Sequence, residues 1–139
     1  MNILEMCDWE AAAVPLEATV ERAIRTMLDR RVGAVAVIDE NRRVAGIFTE
    51  RDVLLRLSLG EHDLQKLSVR EVMTAPVEMA TRATTAGEAL ATMVERHYRH
   101  LPIVDDNGQL LGMLSMRNLL QARIDTLTHQ LDQVRSVVL

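Results

Sequence analysis

Apolar residues follow a succession of spacings along this chain, and the same succession occurs twice. Trp9 to Val14 reads as a weakly extended stretch. Behind Thr19, a hydroxyl suited to a helix start, Ala23, Ile24, Met27 and Leu28 recur at helical spacing. Val35-Ala36-Val37-Ile38 is short, β-branched and apolar, the mark of a buried strand. Asp39-Glu40-Asn41-Arg42 supplies turn chemistry, Val44 to Phe48 returns as a second strand, and Thr49 opens a helix through Val53, Leu54 and Leu57. The later half repeats the scheme. Val77-Glu78-Met79-Ala80 is extended, and Thr85 with Glu88 forms a capping-box signature before an apolar stripe of Ala86, Ala89, Leu90, Met93 and Val94. Leu101 to Val104 and Leu110 to Leu114 then form a hairpin around Asp105-Asp106-Asn107-Gly108, and Ser115 opens a last helix through Leu119 and Leu120.

Leu59 to Pro76 lies between the two halves. There Ser68 to Glu71 is a second capping box before Val72-Met73, and Met73-Thr74-Ala75-Pro76 ends the short helix, since a residue preceding proline avoids the helical region. The pattern predicts an α/β (α+β) fold of two strand-helix-strand-strand-helix repeats. The expected units are residues 1–61, 62–124 and a helical extension at 125–139.

The two halves are copies. Gly46-Ile47-Phe48-Thr49-Glu50-Arg51-Asp52 returns as Gly112-Met113-Leu114-Ser115-Met116-Arg117-Asn118, an offset of 66 residues. Without a gap, the same offset carries Thr19 onto Thr85, Ala23 onto Ala89, Met27 onto Met93, Arg30 onto Arg96 and Asp39 onto Asp105. Self-similarity at a fixed period implies units that close their cores together.

Composition narrows the function classes. At 139 residues, 48% hydrophobic, with mean hydropathy +0.03, the chain has a globular balance. No apolar run approaches the roughly 18 residues of a membrane span. The first residues lack the basic-then-apolar order of a secretory signal, so the expectation is a cytoplasmic protein with no membrane partner. A net charge of −4 and only three aromatic residues, Trp9, Phe48 and Tyr98, argue against nucleic-acid binding. Cys7 is a lone thiol and is expected to be an inert, half-buried apolar residue. Neither a nucleophile motif nor a metal-ligand spacing appears; His62-Asp63 and His97 to His100 are too sparse for a metal. The reading is therefore non-catalytic, with no cofactor required. Met27, Met93 and Met113 read as adaptable core filler.

The doubled Gly-apolar-x-Thr/Ser-x-x-Asp pattern, the Val72-Met73-Thr74-Ala75-Pro76 run and Arg99-His100-Leu101-Pro102-Ile103-Val104-Asp105 resemble a tandem pair of cystathionine-β-synthase (CBS) domains, a Bateman module. The resemblance covers about residue 3 to about residue 124. It implies two α/β halves joined through their sheets about a pseudo-two-fold axis, with clefts between them that hold adenosine-containing ligands, and a disc-like homodimer. Carried onto this sequence, it implies ligand contacts at Thr49, Arg51 and Asp52, at Ala34 and Val35, at Arg99, His100, Leu101 and Pro102, and at Ser115 and Asn118.

Two of these residues carry their own chemistry. A hydroxyl at a helix start stands beside free backbone N–H groups, which suits a phosphate. A carboxylate three residues on can accept from the two hydroxyls of a ribose. Thr49 and Asp52 have that spacing, and they equally fit a simple helix cap. In the second copy Asn118 keeps one carbonyl acceptor and loses the charge, so its hold on a diol is expected to be weaker, whereas Ser115 stays competent as a cap or phosphate contact. The basic pair Arg99-His100 is matched in the first copy by Gly33-Ala34. Unequal clefts follow, with the Thr49/Asp52 cleft favoured.

Beyond the repeats, Ile124, Leu127, Leu131, Val134 and Val138 form one helical stripe. It is expected to cover its face on its own module, on a sister subunit or on a client protein. The functional expectation is a regulatory module that binds an adenosine compound (AMP, ADP, ATP, NAD(H) or S-adenosylmethionine) and passes the event to an unknown client. The alternative is a ligand-free assembly module whose Thr49 and Asp52 only cap a helix.

Overall fold

The computed structural model describes residues 2–57, 60 and 62–138. Leu59, the expected start of the linker, and residue 61, the expected repeat boundary, lie outside the described residues, as does the side chain of Val138. The elements run α1 (Ile3–Met6), β1 (Ala13–Pro15), α2 (Val20–Arg30), β2 (Ala34–Ile38), β3 (Val44–Thr49) and α3 (Glu50–Asp52), which continues as a π-helical turn over Val53–Leu57. A 3-10 turn at Val69–Glu71 precedes α4 (Ala86–Arg96), β4 (His100–Val104), β5 (Leu110–Ser115) and α5 (Met116–Val138).

Local chemistry accounts for these bounds. Thr19 and Thr85 each accept the N–H three residues on and so cap α2 and α4. Both helices end on a residue with left-handed backbone, Arg31 and His97. Ser68 and Glu71 form the expected reciprocal box around the 3-10 turn. In both hairpin turns an aspartate holds two backbone N–H groups, Asp39 those of Asn41 and Arg43, Asp105 those of Asn107 and Gln109.

The first sheet has order β1-β2-β3, with β1 parallel to β2 and β2 antiparallel to β3. The second has only β4 and β5, antiparallel. The extended stretch expected at Val77 to Ala80 shrinks to a single parallel bridge between Ala80 and Ile103. Pro102 explains the loss. It stands where the first repeat has Ala36, whose N–H donates to Ala12 O at 2.9 Å, and proline has no such donor to offer Glu78. In the first repeat the strand also begins later than expected, at Ala13, and Trp9 is exposed on a turn.

Among the described residues three buried clusters form the core. One joins the helices and sheet of the first repeat around Val35, Val37, Phe48 and Met27; another does the same for the second around Leu101, Ile103, Leu114 and Met93. The third lies between the sheets and includes Ala34, Ala36, Ile47, Leu110 and Met113. Alternation sends Ala34 and Ala36 toward the other repeat while Val35 and Val37 face their own helices. Small alanines let the sheets approach. The hairpin turns seal the same seam: Val44 N–H donates to Gly108 O, Leu110 N–H to Arg42 O, and the Gln109 side chain to Asn41 O. Met27, Met93 and Met113 are all buried, as expected for filler.

Each repeat also borrows a segment that precedes the other. Val69 and Val72 complete the first core, whereas Ile3, on a short helix that the apolar pattern did not indicate, completes the second. Thr74 bridges Ile47, and Asp8 bridges Met113, at positions related by the same 66-residue offset. These crossings explain the two motif glycines. A Cβ on Gly46 would stand 2.7 Å from Met73 Sδ and 2.8 Å from Thr74 O; one on Gly112 would meet Cys7 Sγ at 2.7 Å and Asp8 O at 3.0 Å. Neither gap accepts a side chain without movement.

The packing departs from the apolar stripes on α2 and α4, and it rules out one of the three covers open to the C-terminal stripe. Leu28, Leu90 and Val94 lie outside the core although they share the stripes of α2 and α4, because the sheet covers only the narrower line through Ala23 and Met27, or Ala89 and Met93. The C-terminal stripe does not fold back on the module either. Residues 123–137 of α5 are all exposed.

Candidate ligand site

The backbone brings most of the expected site residues to one end of each sheet. Strand register sets Ala34 opposite Thr49 and, in the second repeat, His100 opposite Ser115. At those ends Glu50 N–H donates to Gly33 O and Met116 N–H donates to Arg99 O, so both helices start from the same hook. The two ends also meet each other. A Cβ on Gly33 would lie 3.2 Å from Glu50 Oε1 and 3.3 Å from His100 Cε1. Arg51 crosses the seam as well, its Nη1 donating to His97 O at 3.1 Å.

Asp52 is buried at 4% exposure and is fully engaged. Its Oδ2 accepts from Thr49 N–H at 3.0 Å and from Thr49 Oγ1 at 3.2 Å, while Thr49 Oγ1 accepts from Asp52 N–H. Its Oδ1 accepts from Thr74 Oγ1 at 2.9 Å and pairs with Arg56 Nε at 3.4 Å. A buried carboxylate needs such partners, and each would have to be exchanged before Oδ1 could take a sugar hydroxyl. Ser115 and Asn118 repeat the cap alone, with reciprocal bonds of 2.9 Å.

Arg99 is exposed and His100 half-buried at the start of β4. Burial lowers the imidazole's proton affinity below its ordinary value; the nearby Glu50 carboxylate opposes that shift and Arg99 adds to it. His100 is therefore biased toward the neutral form. Val35, Leu101 and Pro102 stand differently from the expectation of ligand contacts, for all three are sealed from solvent, Val35 and Leu101 within the helix-facing cores. Their side chains pack behind the two sheet ends. Ala34 is buried in the seam between sheets.

An open groove of about 800 Å³ starts beside this junction, at Gly33 and Glu50, and runs between α2 and the turn after α3. Ile24, Met27 and Val53 give it apolar walls, and Arg31 and Arg117 give it charge. Its volume falls within the range of small-molecule sites. Arg31 and Arg117 are equivalent by the offset to His97 and Arg51, which close on each other at the other junction. Four contributors escaped the sequence reading: Gly33, Glu50, Thr74 and Arg56. Arg56 had a signal, an i, i+4 spacing from Asp52; Thr74 reaches Asp52 only through the chain crossing. Among the described residues no three His, Cys, Asp or Glu side chains are grouped to hold a metal, and no helix is long and apolar enough to cross a membrane.

A family model of the CBS domain matches residues 5–59 and 69–125. The chain is 38% identical over 129 residues to an uncharacterized 17.7 kDa protein of Acidianus ambivalens, covering 93% of this chain and 77% of that one. A CBS-domain protein from Burkholderia ambifaria shares the fold at a TM-score of 0.81, with 29% identity over 90% of this chain and 95% of that one. CBSX2, a CBS-pair protein of Arabidopsis thaliana whose crystal structure contains AMP, matches at 0.77 with 22% identity, covering 90% of this chain and 97% of that one, a likeness of fold.

Proposed function

The chain belongs to the CBS domain family and carries two such domains in tandem, and from that premise we propose that it is a non-catalytic regulatory module that binds an adenosine-containing ligand where the two sheet ends meet. The observation that carries this reading is the junction at Gly33, Glu50 and His100. There Glu50, the residue after Thr49, and His100 of the second repeat's basic pair converge on Gly33. In this reading Asp52 Oδ1 exchanges Thr74 and Arg56 for ribose hydroxyls, the start of α3 and Thr49 face a phosphate, and Arg99 supplies paired donors to it. The adjoining groove offers apolar wall for a base. CBSX2 binds AMP, which supports the class of ligand. Binding that spans the junction favours one angle between the repeats, and a client sensitive to that angle receives the signal.

One observation favours the alternative of a ligand-free assembly module: every oxygen of Asp52 already has a partner. Asp52→Asn separates the readings, because Asn118 demonstrates that an amide sustains the same cap. Thermal-shift measurements with AMP, ADP, ATP, NAD(H) and S-adenosylmethionine are expected to raise the melting temperature with at least one compound, as ligand binding to the native state must. Asp52→Asn should remove most of that rise. A flat response to the whole panel overturns the sensor reading, and an unchanged rise in Asp52→Asn overturns the role of the carboxylate.

A further inference from the structure

The last helix leaves the module carrying an apolar seam that no described residue of its own chain covers. Leu120, Ile124, Leu127, Leu131 and Val134 are each 47–57% exposed. Their spacing alternates four, three, four, three, which is the heptad signature with Ile124 and Leu131 at a and Leu120, Leu127 and Val134 at d. At 23 residues α5 is about 34 Å long.

We propose that this seam pairs with the same seam of a second copy of the chain, in a short two-stranded coiled coil that projects from the CBS pair. The width of the stripe selects the partner. A helix that lies on a sheet or in a broad groove shows an apolar face of 100° or more, whereas an a/d line alone fits the knobs and holes of another helix with the same repeat. In the first heptad Ile124 at a with Leu127 at d is the combination that favours two strands; in the second, Leu131 at a and Val134 at d reverse the branched position. The flanking e and g positions permit self-pairing in either direction. With parallel helices Arg123 meets Thr128 and Gln130 meets Arg135; with antiparallel helices Thr128 and Gln130 meet themselves and Gln121 meets Arg135. No like charges meet. Asp125 and Asp132 balance Arg123 and Arg135 on the rest of the helix, which lacks the basic face of a membrane-surface helix. On the outer face polar side chains bond to each other, as Gln133 does with His129.

The test is sedimentation equilibrium on the full chain. Wild type is expected to be a dimer or a multiple of one, and Leu127→Glu/Leu131→Glu to have half the wild-type mass while keeping a cooperative melting transition, since both side chains lie outside the cores. Thr126→Glu/His129→Glu, on the outer face, should keep the wild-type mass. Leu127→Ala/Leu131→Ala preserves helix propensity and should raise the dissociation constant at least tenfold. A monomeric wild type, or a Glu pair that sediments like wild type, overturns the proposal. A loss of mass in the outer-face variant equal to that of the seam variant also overturns it.

Discussion

At the end of the first sheet a carboxylate closes the helix cap; 66 residues later an amide closes the same cap with the same geometry. The backbone plan of the repeats is shared down to the hook at Gly33 and Arg99, the aspartate-held turns and the glycine beneath each crossing segment. What differs is charge and reach. The first repeat adds Thr74 and Arg56 to its acid, whereas the second places its basic pair at the strand start and sends its last helix away from the module. Duplication thus preserved what the fold needs and released what a ligand or partner would read. Matched pairs such as Gly46/Gly112 and Asp39/Asp105 carry the shared backbone plan, whereas Asp52/Asn118 and Ala34/His100 change the charge and polarity at the two sheet ends.

The largest expected effect probes the shared part. Gly46→Ala forces a methyl to 2.8 Å from the Thr74 carbonyl, a backbone atom that can retreat only if the crossing segment shifts. Urea denaturation should show a loss of about 3 kcal/mol, at the upper end for overpacked sites. The equivalent Gly112→Ala meets a side-chain sulfur at the same 2.7 Å but leaves the Asp8 carbonyl at 3.0 Å, so about 2 kcal/mol is expected. Equal costs would mean that the crossings are mechanically identical and that the sub-ångström difference in clearance is irrelevant.

A smaller effect separates the caps. Asp52→Ala strips acceptors from Thr49, Thr74 and Arg56 and should cost about 2 kcal/mol. Asn118→Ala removes only a cap partner of Ser115 and should cost about 1 kcal/mol. Chemical denaturation of the two variants gives the comparison directly. If Asn118→Ala proved the costlier, the burial and extra bonds of Asp52 would not be what stabilises the first repeat.

Much of this architecture was visible in the chain, and what escaped did so for physical reasons. Capping residues, turn aspartates and the repeat register are local, so Thr19, Asp39 and Gly46 announced themselves by type and spacing. The crossing segments are equivalent in space yet share little sequence: Ile3 stands for Val69 and Asp8 for Thr74, so self-comparison could not pair them. The stripes of α2 and α4 were legible as apolar faces, but periodicity reports width and not which neighbour covers each residue; Leu28 and Val94 were left outside. Pro102 carried a legible warning, the missing donor that cuts short the third strand of the second sheet. At the candidate site the Thr49/Asp52 pair was apparent from a spacing of three, whereas the bond from Thr74 and the approach of His100 to Gly33 exist only once the sheets have docked.

The smallest effect concerns His100, a titrating group for which the first repeat offers only Ala34. Burial holds its imidazole below the ordinary value of 6.5, with Glu50 opposing and Arg99 assisting. The sign follows from linkage: as pH falls through 6.5 the unfolded chain takes up a proton that the folded chain resists, so folding stability declines. Melting temperature measured against pH should therefore drop more on the acid side in wild type than in His100→Gln. Glu50→Gln should steepen the drop, because it removes a carboxylate that favours the cation. A bound phosphate beside His100 acts in the opposite direction, since its negative charge raises the imidazole's proton affinity and the complex then tightens as the free protein weakens. The ligand-induced rise in melting temperature should consequently grow as pH falls, and should stop growing in His100→Gln; a rise independent of pH in wild type would move the phosphate away from the second repeat's basic pair and leave the first repeat to hold the ligand alone.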